Sequence, residues 1–102
     1  MSKFIIKIII MQDSSKDKAN QLIKTFGRIV EQHRKKQGKT AYRISAEIAL
    51  SKTTWRDVEL GANDLKLSTM WKVAEGLDIP LEKLISEVNA TLGEDFSLAD
   101  IK

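Results

Sequence analysis

The chain has 102 residues, no cysteine, a single histidine and a net charge of +3. This length suits one domain with a modest core of four or five helices. A disulfide scaffold and a cysteine nucleophile are excluded, a lone His33 leaves no ordinary zinc ligand set, and no run of about 18 apolar residues offers a membrane span.

The small net charge hides an asymmetry. Residues 1–56 carry 13 Lys/Arg against 4 Asp/Glu, or +9, while residues 57–102 carry 4 against 10, or −6. A basic half suits a polyanionic partner and an acidic half should face away from it, although solvated surface often shows the same bias.

Residues 1–11, MSKFIIKIIIM, open the chain with a β-branched run. Lys7 interrupts the apolar stretch and no small-residue cleavage site follows, which argues against a signal peptide. The run favours a strand over Lys3–Ile10, yet no other segment offers it a partner strand. Two readings stand side by side. The strand pairs with its copy in a second chain, or the segment is an incidental extension and Met11 begins the domain. Residues 12–17 read as a polar linker in which Ser14 or Ser15 caps the next helix. The extension, residues 1–15, then precedes a domain over 16–92 and an acidic tail over 93–102.

The first helix of that domain is expected from Lys16 to Lys36. Leu22, Phe26, Ile29, Val30 and His33 recur at three- and four-residue spacing, and Lys24, Arg28, Lys35 and Lys36 make the other face basic. His33 reads as a packing residue rather than a ligand. Gly38 ends the helix. Thr40 and Ser51 then stand one residue ahead of two short helices, Ala41–Ile48 and Lys52–Leu60, where each hydroxyl can cap free backbone N–H groups. Ile44 and Ile48 share one face, as do Trp55 and Val58, and Gly61 stops the second helix. Two helices joined by so short a turn form a helix-turn-helix, whose second helix can enter the major groove of DNA.

Beyond a loop over 62–67, Ser68 is expected to cap a helix over Thr69–Glu75 that Gly76 closes. Pro80 opens a last helix, with Leu81, Leu84, Ile85 and Val88 inward, extending to about Leu92. Phe96, Leu98 and Ile101 of the tail either dock on the core or a partner, or fray. The expected core is Ile29, Val30, Ile44, Ile48, Leu50, Trp55, Val58, Met70, Val73, Leu77, Leu84 and Ile85, giving a compact all-α domain.

Residues 26–85 resemble the lambda-repressor-like, Cro-type (xenobiotic-response-element-type) helix-turn-helix family. The resemblance rests on Gly27-Arg28-Ile29, Arg34, Gly38, Thr40, Ile44, Ala49-Leu50-Ser51, Val58-Glu59, Gly61, Val73-Ala74 and Leu77, and covers about three-fifths of the chain. It implies a five-helix DNA-binding fold and a structural ion pair between Arg34 and Glu59 that fixes the angle of the recognition helix. The other reading of that pair is two unrelated surface charges. The family's base contacts map onto Lys52, Thr53 and Asp57. Ser51 and Arg56 join them by position, at the N-terminus of the helix and one turn on. Lys and Arg can donate to guanine, Thr can meet a polar edge or a thymine methyl, and Asp can accept from cytosine. Read blandly, these five are ordinary solvated residues. Phosphate contacts are expected from Thr40 with its neighbouring amides, Arg43, Lys39 and Lys36.

Four positions depart from the family pattern. Ala41 stands where a phosphate-gripping Gln is common, Ala49 replaces a turn glycine, and Asp64 sits in a loop that is often basic. Trp55 fills a place usually held by Ile or Val, where its ring should be core with the indole N–H seeking an acceptor.

The expected function is a sequence-specific regulator of double-stranded DNA of bacterial or phage type. It would be a cytoplasmic, nucleoid-associated homodimer and a repressor rather than an activator. Alternatives are a protein-interaction module that has lost DNA, or an antitoxin that binds a toxin as its protein partner. An enzyme lacks support, because no phosphate-binding glycine loop and no second histidine are present, and no cofactor is implied.

Overall fold

A computed structural model describes the backbone of residues 2–99 and the side chains of residues 16–99. The described residues form five helices: α1 (Ser2–Lys36), α2 (Ala41–Glu47), α3 (Lys52–Leu60), α4 (Leu67–Leu77) and α5 (Leu81–Leu92). No strand occurs among them. The strand expected over Lys3–Ile10 is instead helix, continuous with the segment expected to begin at Lys16. Backbone pairing accounts for this correction. A lone strand leaves its N–H and C=O groups without partners, whereas a helix satisfies them within its own segment.

Each helix buries one stripe. Phe26, Ile29 and Val30 of α1 meet Ile44 of α2, Trp55 and Val58 of α3, Val73, Ala74 and Leu77 of α4, and Leu84 and Val88 of α5. Trp55, Ile44, Val30 and Leu84 are wholly enclosed. Ile48, Leu50 and Met70 are half-buried around this centre. Ile85 is 43 % exposed and does not belong to the core. α5 turns the Leu84–Val88 row inward, and Ile85, one residue on, falls about 100° around the helix.

α1 and α3 cross with their backbones nearly touching. A Cβ on Gly27 would overlap the carbonyl oxygens of Val58 and Glu59 at the end of α3. Only glycine permits that approach. Just beyond the C-terminal end of α1 the chain is fastened to α4, since Gln37 Nε2 donates to the Leu77 carbonyl at 2.8 Å. Between these points, His33 Nε2 lies 2.8 Å from Glu87 Oε1 on α5, so the ring is half-buried and paired across helices.

α4 departs from its expected limits at both ends. It begins at Leu67 with Lys66 as N-cap, and Ser68 sits exposed in the first turn without capping. The Met70 N–H reaches the Lys66 carbonyl at 3.1 Å, and water can satisfy the remaining donors of an exposed helix start. Gly76 lies inside the helix, where a Cβ would stand 3.2 Å from Ile48 and 3.3 Å from Ile44. The helix therefore runs on to Leu77 and is capped by Asp78 in the left-handed region (φ 55°), which Asp tolerates better than most residues.

After α5, residues 93–99 form turns, with Phe96 half-buried and Leu98 44 % exposed. Ile101 lies outside the described residues. No described helix is long and apolar enough to cross a membrane.

Candidate nucleic-acid interface

α2 and α3 are joined by four residues, Ile48–Ser51. Local chemistry sets both helix starts. Thr40 has extended backbone, and its hydroxyl accepts from the Arg43 N–H at 3.1 Å. Ser51 does the same for the Thr54 N–H at 3.0 Å, and its Oγ also lies 2.7 Å from the Thr54 hydroxyl. The turn reverses at Ala49, which is left-handed with φ 54°. The Leu50 N–H then returns to the Ser45 carbonyl at 2.9 Å. α3 ends at Gly61, left-handed with φ 64°.

The angle of α3 is fixed by one carboxylate. Arg34 Nε donates to Glu59 Oε2 at 2.5 Å and Nη2 donates to Oε1 at 3.0 Å. Trp55 Nε1 donates to the same Oε2 at 2.6 Å, and Arg34 Nη1 donates to the Lys39 carbonyl at 2.8 Å. The side chains of Arg34 and Glu59 are only 13 % and 8 % exposed. Hydrogen bonding to Glu59 raises the Arg34 pKa above its ordinary value, overcoming the opposing effect of burial. α1 and α3 are thus tied by a fork of two bonds, and the core tryptophan closes the same carboxylate from within α3.

Opposite this buried side, α3 presents its front. Lys52, Thr53 and Arg56 are exposed and Asp57 is half-buried. Among the described residues, neither Lys52 nor Arg56 enters a salt bridge. No other part of the described chain covers this front. Ser51 is exposed at the tip, but its oxygen is engaged in capping.

The residues expected at phosphates divide into two sets. Lys36 and Arg43 are exposed, Arg43 with a long 3.5 Å contact to Glu47 one turn on. Thr40 is exposed with its hydroxyl committed to the cap. Lys39 is folded back, its Nζ 3.2 Å from Glu47 Oε1 and 3.5 Å from the Gly76 carbonyl, and it is half-buried there. The Lys39 hydrogen bond is the main reason the Glu47 carboxyl lies below the usual carboxylate range. Asp64 is exposed and accepts from the following Leu65 N–H at 2.9 Å.

Two features escape the sequence reading. The Trp55–Glu59 bond carries a signal in the four-residue spacing, which puts both side chains on one face of a helix. Trp71 is 59 % exposed on α4 and gives no such signal, because a tryptophan inside an amphipathic helix reads as core.

Fold and surface together define a compact all-helical protein with a short helix pair held rigidly against its longest helix. Compared with models of known protein families and with curated protein sequences, the chain matches none.

Proposed function

We propose that the protein is a sequence-specific, double-stranded DNA-binding regulator of the lambda-repressor-like helix-turn-helix kind, acting as a repressor by occupying its operator. α2 lies across the backbone and α3 enters the major groove. One observation carries this reading. α3 is clamped from behind by Arg34 and Trp55 through Glu59, while its front offers the unpaired cations Lys52 and Arg56 beside Thr53. A helix that reads bases needs both properties, since its side chains must be free and its axis must not wander.

In this reading Lys52 and Arg56 donate to guanine edges, Thr53 meets a polar edge or a thymine methyl, and Asp57 accepts from cytosine. Ser51 contributes chiefly its helix start. Lys36, Arg43 and the amides after Thr40 hold phosphates, and Lys39 supports them through Glu47. Two copies on two half-sites supply the affinity that one small surface lacks.

The test is selection of binding sites from random duplexes by the purified protein, followed by titration at several salt concentrations. A recurring, palindromic site is expected. Lys52→Ala combined with Arg56→Ala should weaken binding to that site by roughly 30-fold or more, at about 1–3 kcal/mol per base contact. Arg43→Ala should reduce the salt slope by about one unit whatever the sequence. Absence of any enriched site, or equal binding by the Lys52/Arg56 double variant, would overturn the proposal.

A further inference from the structure

A groove of about 610 Å³ opens at the end of α4 and the start of α5, with no residue of α3 in its lining. Trp71, Ile79, Pro80 and Leu81 give it an apolar floor, and Glu75, Asp78 and Glu82 stand around it without a single Lys or Arg in the lining. The three carboxylates are exposed, and among the described residues none enters a salt bridge. An exposed tryptophan beside unpaired carboxylates suits an occupant that is both apolar and cationic.

The chain contains one such segment. KFIIKIIIM, residues 3–11, has seven apolar residues and two lysines with no carboxylate. It belongs to α1 but lies at the wrong end of that helix to fill its own groove. The groove adjoins the C-terminal end of α1, because Gln37 is bonded to Leu77, next to Asp78. Residue 11 is 26 residues from Gln37, which is about 39 Å along a continuous helix at about 1.5 Å per residue. A second copy removes the difficulty. When two α1 helices run antiparallel about a two-fold axis, each N-terminal end comes beside the partner's C-terminal end, and both grooves are reached at once.

We infer that the protein is a reciprocal homodimer in which residues 3–11 of each chain occupy the Trp71 groove of its partner. The segment brings two positive charges and seven apolar residues to a groove that offers three carboxylates and an exposed indole. The inference stands independently of DNA binding and is read without DNA.

Sedimentation velocity on the full chain, with tryptophan fluorescence alongside, tests it. Wild type should be a dimer at micromolar concentration. Trp55 is wholly buried, so the concentration-dependent part of the emission comes from Trp71, which should shift to the blue as dimer forms. Trp71→Ala with Glu75→Lys and Glu82→Lys should raise the dimer dissociation constant about 30-fold, the scale of losing one interface anchor. These side chains are exposed and the carboxylates unpaired, so helix content measured by circular dichroism should be unchanged. Charge exchange supplies the sharper arm. Glu75→Lys/Glu82→Lys alone and Lys3→Glu/Lys7→Glu alone should each weaken the dimer, and the four substitutions together should restore it. A wild-type monomer at 100-fold higher concentration, or a dimer lost on arm substitution but indifferent to the groove, would overturn the inference, the latter by showing that the arms pair with each other or with another surface.

Discussion

Replacement of Glu59 by alanine tests the central tie of the fold. Glu59 accepts three hydrogen bonds, two from Arg34 and one from the indole of Trp55, and its side chain is 8 % exposed. Truncation leaves a guanidinium with only its bond to the Lys39 carbonyl, and an indole N–H in a wholly buried ring with no acceptor. Stranding one member of a buried ion pair costs about 3–5 kcal/mol, and an unsatisfied donor about 1–3 kcal/mol. The two do not add, since Arg34 is 13 % exposed and can turn toward water. We expect about 4 kcal/mol for Glu59→Ala. Arg34→Ala should cost less, about 3 kcal/mol, because Glu59 keeps the indole bond. Urea denaturation followed by circular dichroism measures both, and a cycle with the double variant should return a coupling of about 2 kcal/mol. A loss below about 1 kcal/mol for Glu59→Ala, the level of an exposed pair, would refute the view that this carboxylate fixes α3.

Further outcomes follow from other parts of the structure. Gly27→Ala should destabilise by about 2–3 kcal/mol in the same assay, because the added methyl meets the rigid carbonyls of Val58 and Glu59. Ala49→Gly should stabilise by up to about 1 kcal/mol, since glycine relieves the left-handed strain at φ 54°. The effect is visible as a raised melting temperature. Glu47 has a depressed carboxyl pKa caused first by Lys39, so its stabilising contribution is present at neutral pH and is lost as pH falls through the folded-state value. Glu47→Gln should accordingly flatten the acid-side decline of melting temperature, and an unchanged slope would contradict the assignment.

Much of this architecture was legible because it is local. Thr40, Ser51 and Gly61 cap α2 and α3 through bonds to residues three or four away, and such signals survive in one dimension. Gly76 misleads for the opposite reason. Its role is to let α4 lie against Ile44 and Ile48, a tertiary demand with no mark in the neighbouring sequence. Residues 3–10 mislead because side-chain preference for strands is weak beside the need to pair the backbone, and the chain supplies no second strand. Within the candidate interface, the front of α3 could be read from position. The Arg34–Glu59 pair, 25 residues apart, came only through family resemblance. Lys39 shows the limit of charge counting, because a cation expected at the surface spends itself on Glu47 and a carbonyl of α4.

The touching backbones of α1 and α3 at Gly27 have a mechanical consequence. No side chain is interposed there to bend or yield, and the Arg34–Glu59 fork blocks rotation about that point. α1 therefore behaves as a handle welded to α3, and a tug on α1 must swing α3 with it.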